Sequence, residues 1–187
     1  MIDAIAYVLL VLTVAAGGVY DARTGKVPNA LNYPAILTGL VYWAGVSLWS
    51  DQPGIGPSAA GLAAGLAPFA VIYALGGLGG GDVKLMAAVG ALSASWRVVL
   101  GATVYAMVLA LVFAVVIMIR NRATRRTLRN LSRLGRRSRG DADTDAHTDL
   151  REDSPRVPFA VAVAFGAALA GAEVMLGLST PWSAFGP

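Results

Sequence analysis

Apolar residues fall in long blocks along this chain, separated by short polar or glycine-rich breaks. Several blocks approach or exceed the ~18 residues that argue for a membrane-crossing helix. The blocks at 2–20, 33–50, 58–75, 83–95, 97–119 and 157–178 predict an all-α, polytopic membrane protein with about six transmembrane helices. Pro28 lies in the first break; it lacks a donor N–H and pushes Val27 out of the helical region, so no helix runs through this point. The second break, 51–57, is rich in proline and glycine. Tyr42, Trp43 and Trp49 lie toward the far end of the second block, where aromatic rings anchor at a membrane interface. The first block carries Asp3 at its outer end and no base precedes it, so it reads as a retained helix and not a removed signal peptide.

Composition agrees with the pattern. Of 187 residues 56% are hydrophobic and 14% charged, against about a quarter charged in soluble domains, and the mean hydropathy is +0.63. Cysteine is absent, which excludes disulfides and thiolate metal sites. Nine arginines and no acid lie between Arg120 and Arg139, with Leu128, Leu131 and Leu134 at helical spacing, which predicts a basic amphipathic helix on a lipid surface. Residues 141–153 then turn acidic and are expected to be disordered. Together 120–156 form a basic-then-acidic loop within a single membrane-embedded domain, 1–187. No aromatics interleave with the arginines, so membrane lipid is the expected partner of this loop and nucleic acid is not. The one histidine, His147, lies in the acidic part and reads as solvated.

Charge fixes an orientation. Arg23 and Lys26 lie in the first connection, Lys84 in the third and the arginine run in the fifth, whereas the second has only Asp51 and the fourth only Arg97. The positive-inside rule places the odd connections in the cytoplasm and the N-terminus outside. It also requires the short 83–95 block to cross, with Lys84 and Arg97 snorkelling to opposite interfaces. Asp21, at the end of the first block, and Asp82, ahead of the fourth, then share the cytoplasmic side although they lie 61 positions apart.

Asp82 follows a stretch holding five glycines, Gly76, Gly77, Gly79, Gly80 and Gly81, an expensive composition for a helix interior. Close helix packing would explain the glycines but not the charge. Neither phosphate-binding glycine pattern can be laid on the stretch. Asp21 alone could simply end a helix. Two carboxylates held together with little water share a proton, and such a pair activates water with one member while the other polarises a carbonyl. The glycines would admit an extended peptide backbone. An extended 80–84 segment would also put Lys84 on the same side as Asp82, where its charge lowers the carboxyl pKa.

Gly79-Gly80-Gly81-Asp82 matches the GxGD motif of intramembrane aspartyl proteases. Asp21-x-Arg23 followed by Val27-Pro28-Asn29, together with Gly81-Asp82-Val83-Lys84-Leu85, resembles the two motifs of type IV prepilin peptidases and archaeal preflagellin (archaellin) peptidases. The resemblance implies an aspartic-type endopeptidase that cuts a basic leader from pilin-like or archaellin precursors at the cytoplasmic face of the cell membrane. It implies Asp21 and Asp82 as the catalytic pair, with no metal and no cofactor. Gly79, Gly80, Gly81, Lys84, Arg23, Pro28 and Asn29 become residues expected to bind substrate or organise the loops. The paired-cysteine extension of many bacterial members is missing, so peptidase activity without N-methylation is expected. Tyr20-Asp21 and GxGD resemble presenilin and signal peptide peptidase too, but Pro34-Ala35-Ile36 stands where no Pro-Ala-Leu motif belongs. A small ion-coupled transporter would place its charges nearer the midplane.

Overall fold

The computed structural model describes residues 3–50, 54–120 and 159–178. The basic run and the acidic segment, including His147, lie outside the described residues. The chain divides into two compact units, Met1–Leu109 with Pro158–Pro187, and Ala110–Val157. Of the second, only 110–120 is described, as the end of a helix.

The described residues form six helices and no strand: α1 Ala4–Thr24, α2 Asn29–Trp49, α3 Ile55–Ala74, α4 Gly80–Ser93, α5 Trp96–Arg120 and α6 Phe159–Met175. Three of them are long and apolar enough to cross a membrane: Ala4–Thr24, Ile55–Ala74 and, within α5, Trp96–Ile117. Helix ends differ from the apolar blocks in a consistent way. Helix α1 continues through Asp21 and Arg23 to Thr24, and ends only at Gly25, whose backbone is left-handed and whose N–H donates to the Asp21 carbonyl at 2.8 Å. Helix α2 starts directly after Pro28, whose carbonyl accepts from the Leu31 N–H at 3.1 Å. Polar residues mark where apolar composition stops; the hydrogen-bond ladder stops where a residue refuses helical geometry.

Helix α4 is the core of the first unit. Val83 and every residue from Leu85 to Ser93 are buried, as expected for a short helix apolar on all sides. Helices α1, α2, α3 and α6 all pack against it. Its small residues permit backbone contact: a Cβ on Gly90 would collide with the Gly61 carbonyl of α3, and one on Gly61 with that of Gly90. Such approach lets dispersion and backbone contacts replace the hydrophobic drive that helices lack among themselves in lipid. Two polar tethers hold the far end of α4, the Trp43 indole N–H to the Leu92 carbonyl at 2.9 Å and the Ser58 hydroxyl to the Ala91 carbonyl at 2.7 Å. Large apolar side chains are left outside and form an outward apolar surface, and Leu12, Leu37, Val41 and Phe165 among them are more than half exposed.

Candidate active site

Two chain segments meet at the start of α4. The first is the last turn of α1 with the connection to α2, residues 21–29. The second is the link from α3 and the first turn of α4, residues 75–84. At its closest their contact is made by backbone. Val27 is buried against Gly81, and a Cβ on Gly81 would lie 2.9 Å from the Val27 carbonyl oxygen and 3.2 Å from its nitrogen. Only glycine leaves room for that approach.

Each aspartate belongs to one of these segments. Asp21 is partly exposed in the last turn of α1, and its Oδ2 accepts the Ala160 N–H at 3.0 Å. That N–H belongs to the first turn of α6, where helix donors lack partners of their own, so Asp21 caps a helix far away in sequence. Asp82 lies in the first turn of α4, ahead of the 83–95 segment, with its N–H donating to the Gly79 carbonyl at 3.1 Å. A Cβ on Gly79 would stand 3.1 Å from Asp82 Oδ2, so that glycine leaves the carboxyl open.

The Asp82 carboxyl is pushed up to about 6, first by burial and then by the negative charge of Asp21; its hydrogen bond with the Gly79 backbone opposes the shift. A carboxyl raised in the folded state stabilises the fold fully below its unfolded value of 3.8, and that contribution is lost as pH rises through about 6. Asp82→Asn keeps the neutral shape at every pH. Its thermal midpoint should match the parent near about pH 4 and exceed it by about pH 8. A midpoint difference that does not change with pH would contradict the raised carboxyl.

Other residues singled out in the sequence divide into two groups. Asn29, the first residue of α2, accepts from Lys84 Nζ at 2.8 Å through its Oδ1, and the Lys84 ammonium sits 4.8 Å from the centre of the Tyr33 ring. Pro28 sets the start of α2, and a Cβ on Gly80 would lie 3.4 Å from the edge of the Tyr73 ring. Arg23 is exposed in the last turn of α1, and its side chain makes no hydrogen bond or ion pair to a described residue. The extended arrangement of 80–84 is not found. These residues are helical, so Lys84 leaves α4 on a different side from Asp82 and turns to Asn29 and Tyr33. Two contributors had no mark in the sequence, the Ala160 N–H and Asn32. Asn32 is fully buried in α2 and donates from Nδ2 to the Gly81 carbonyl at 3.0 Å. A polar residue beside the second apolar block was the only available sign of it.

Among the described residues no cluster of three or more His, Cys, Asp or Glu side chains forms a metal-binding set. An apolar cleft of about 410 Å³ opens between α1 and α6, lined by Val14, Gly18 and Ala22 on one side and Val161, Phe165 and Ala168 on the other. Among known protein families, the sequence model of the type IV leader peptidase family matches residues 7–115, a range that holds both aspartates and all the other residues expected at the site. No curated protein and no solved structure matches the chain.

Proposed function

Because the chain belongs to the type IV leader peptidase family, we propose that it is an aspartic endopeptidase in which Asp21 and Asp82 together activate water. One observation carries this reading: the segment that follows Asp21 docks by its backbone on Gly81, the residue that precedes Asp82. The chemistry needs one carboxylate and one carboxylic acid. Asp82, whose carboxyl is raised by burial and by the charge of Asp21, is the proposed acid and in its protonated form donates to the scissile carbonyl oxygen. Asp21, with Oδ2 held by the Ala160 N–H, takes a proton from the attacking water through its other oxygen. The resulting diol collapses as the carbon–nitrogen bond breaks: the leaving amine accepts the proton now on Asp21, and one diol hydroxyl returns its proton to Asp82 as the carbonyl re-forms.

The proposed substrate is a pilin-like or archaellin precursor, with a basic leader ahead of an apolar segment. The proposed arrangement is a single membrane-embedded domain, 1–187, with six spans in the cell membrane. The N-terminus is outside, and 120–156 and the site lie on the cytoplasmic side. Arg23, Lys26 and the arginine run then share one face with the site.

The test is cleavage of such a precursor by the purified protein in lipid vesicles, followed by sequencing of the new N-terminus. A terminus at the end of the leader is expected. A terminus inside the apolar segment would favour the presenilin-like reading, and uncut precursor would overturn the peptidase assignment.

A further inference from the structure

Asn32 is fully buried, yet only half of its amide is used. Its Nδ2 donates to the Gly81 carbonyl at 3.0 Å, while its Oδ1 is buried with no hydrogen-bond partner. Turning the amide over would set carbonyl against carbonyl, so the donor's direction is dictated by Gly81. For stability this is a poor choice, because a buried acceptor without a partner costs free energy that an apolar side chain of similar size would not.

What the amide holds is the weakest turn of the core helix. Helix α4 opens with Gly80 and Gly81, both poor helix formers, and Gly79 supplies no side-chain cap. A start of that composition frays unless something outside it holds it. Asn32 holds it at the carbonyl of Gly81, on the residue that Val27 contacts with its backbone. Lys84 adds a link from the same turn to Asn29. All of these ties come from residues 27–32, the stretch that directly follows the helix carrying Asp21.

We infer that Asn32 is a positioning residue: by clamping the Gly81 carbonyl it fixes where Asp82 stands relative to Asp21. It touches neither substrate nor the reacting atoms. The inference rests on the peptidase reading for its effect on rate, while its geometric content stands apart from that reading.

Two measurements on Asn32→Leu test it. In activity, kcat on a cleavable precursor should fall by about 10²-fold, the scale of a roughly 1 Å misplacement, with KM within about twofold. The thermal midpoint should stay level or rise, because the unpartnered Oδ1 is removed with the donor. In geometry, the chain has no native cysteine, so Asp21→Cys with Asp82→Cys gives a pair that a short bifunctional maleimide can bridge. Bridging should slow severalfold when Asn32→Leu is added. Asn32→Ser, too short to reach the carbonyl, should slow bridging alike and serves for that measurement if the leucine variant does not fold. Unchanged bridging, or a fall in kcat that only follows a fall in thermal midpoint, would overturn the inference. If the parent protein cuts no precursor, the peptidase reading fails, and the bridging comparison alone decides the role of Asn32.

Discussion

Asp82→Asn is expected to stop precursor cleavage, with kcat falling by about 10³-fold or more, and Asp21→Asn to do the same. Asparagine keeps the size of each side chain and removes only its ability to exchange a proton. Asp82 would lose the acid that polarises the carbonyl, and Asp21 the base that receives the proton of water. Neither loss can be covered by the partner, since the reaction needs both states at once. Groups that act as a unit are not additive, so the double variant should be scarcely slower than either single one. The measurement is single-turnover cleavage of a precursor in vesicles, with circular dichroism showing that helix content is retained. Substantial cleavage by either variant would remove the aspartic mechanism.

Gly81→Ala is the second large effect expected, and it comes from geometry and not from proton chemistry. The added Cβ would meet the Val27 carbonyl oxygen at 2.9 Å and the Val27 nitrogen at 3.2 Å. Both are main-chain atoms that cannot turn aside as a side chain can. The α1–α2 connection must lift, at a cost of about 1–3 kcal/mol for an overpacked contact. Cleavage should fall by about 10²-fold as the carboxyls separate. Val27→Ala should not restore it, because two of the three nearest contacts are backbone. The neighbouring glycines make internal controls. Gly80→Ala meets only the edge of the Tyr73 ring, which is half exposed and free to move, and should be mild. Gly79→Ala meets Asp82 Oδ2 itself and should slow cleavage with little loss of stability. Equal effects at all three positions would contradict this account.

The sequence made some of these parts visible for a simple reason. In a chain this apolar, a carboxylate beside a glycine cluster stands out, and counting blocks between Asp21 and Asp82 brings the two to one side. The helical order was legible for the same reason, because long apolar blocks leave few alternatives. Helix ends were less so. Asp21, Arg23 and Thr24 look like loop by composition, but none of them is unable to adopt helical geometry, and the helix takes them in until Gly25. Gly80 and Gly81 look like helix breakers, yet tertiary contacts from Val27 and Asn32 hold them in the first turn of α4. The fate of Lys84 followed from that, since an extended segment and a helix send its side chain to different sides. Asn32 and the Ala160 N–H could not be found by pattern. Their meaning depends on which distant residue each one meets.

Helix α4 has 14 residues and so covers about 21 Å, against a hydrocarbon layer about 30 Å thick. A lone helix of that length would have to thin the bilayer or leave polar backbone in oil. Lying among four other helices, α4 needs to do neither, and its ends are freed from the thickness of the membrane. In the proposed arrangement the helix that carries Asp82 can stop below the level of the lipid headgroups. Water then comes down to the bond, and the precursor's apolar segment need not be drawn far into water to be cut. The shortness of one helix would thus lower the work of extracting a greasy substrate from the bilayer.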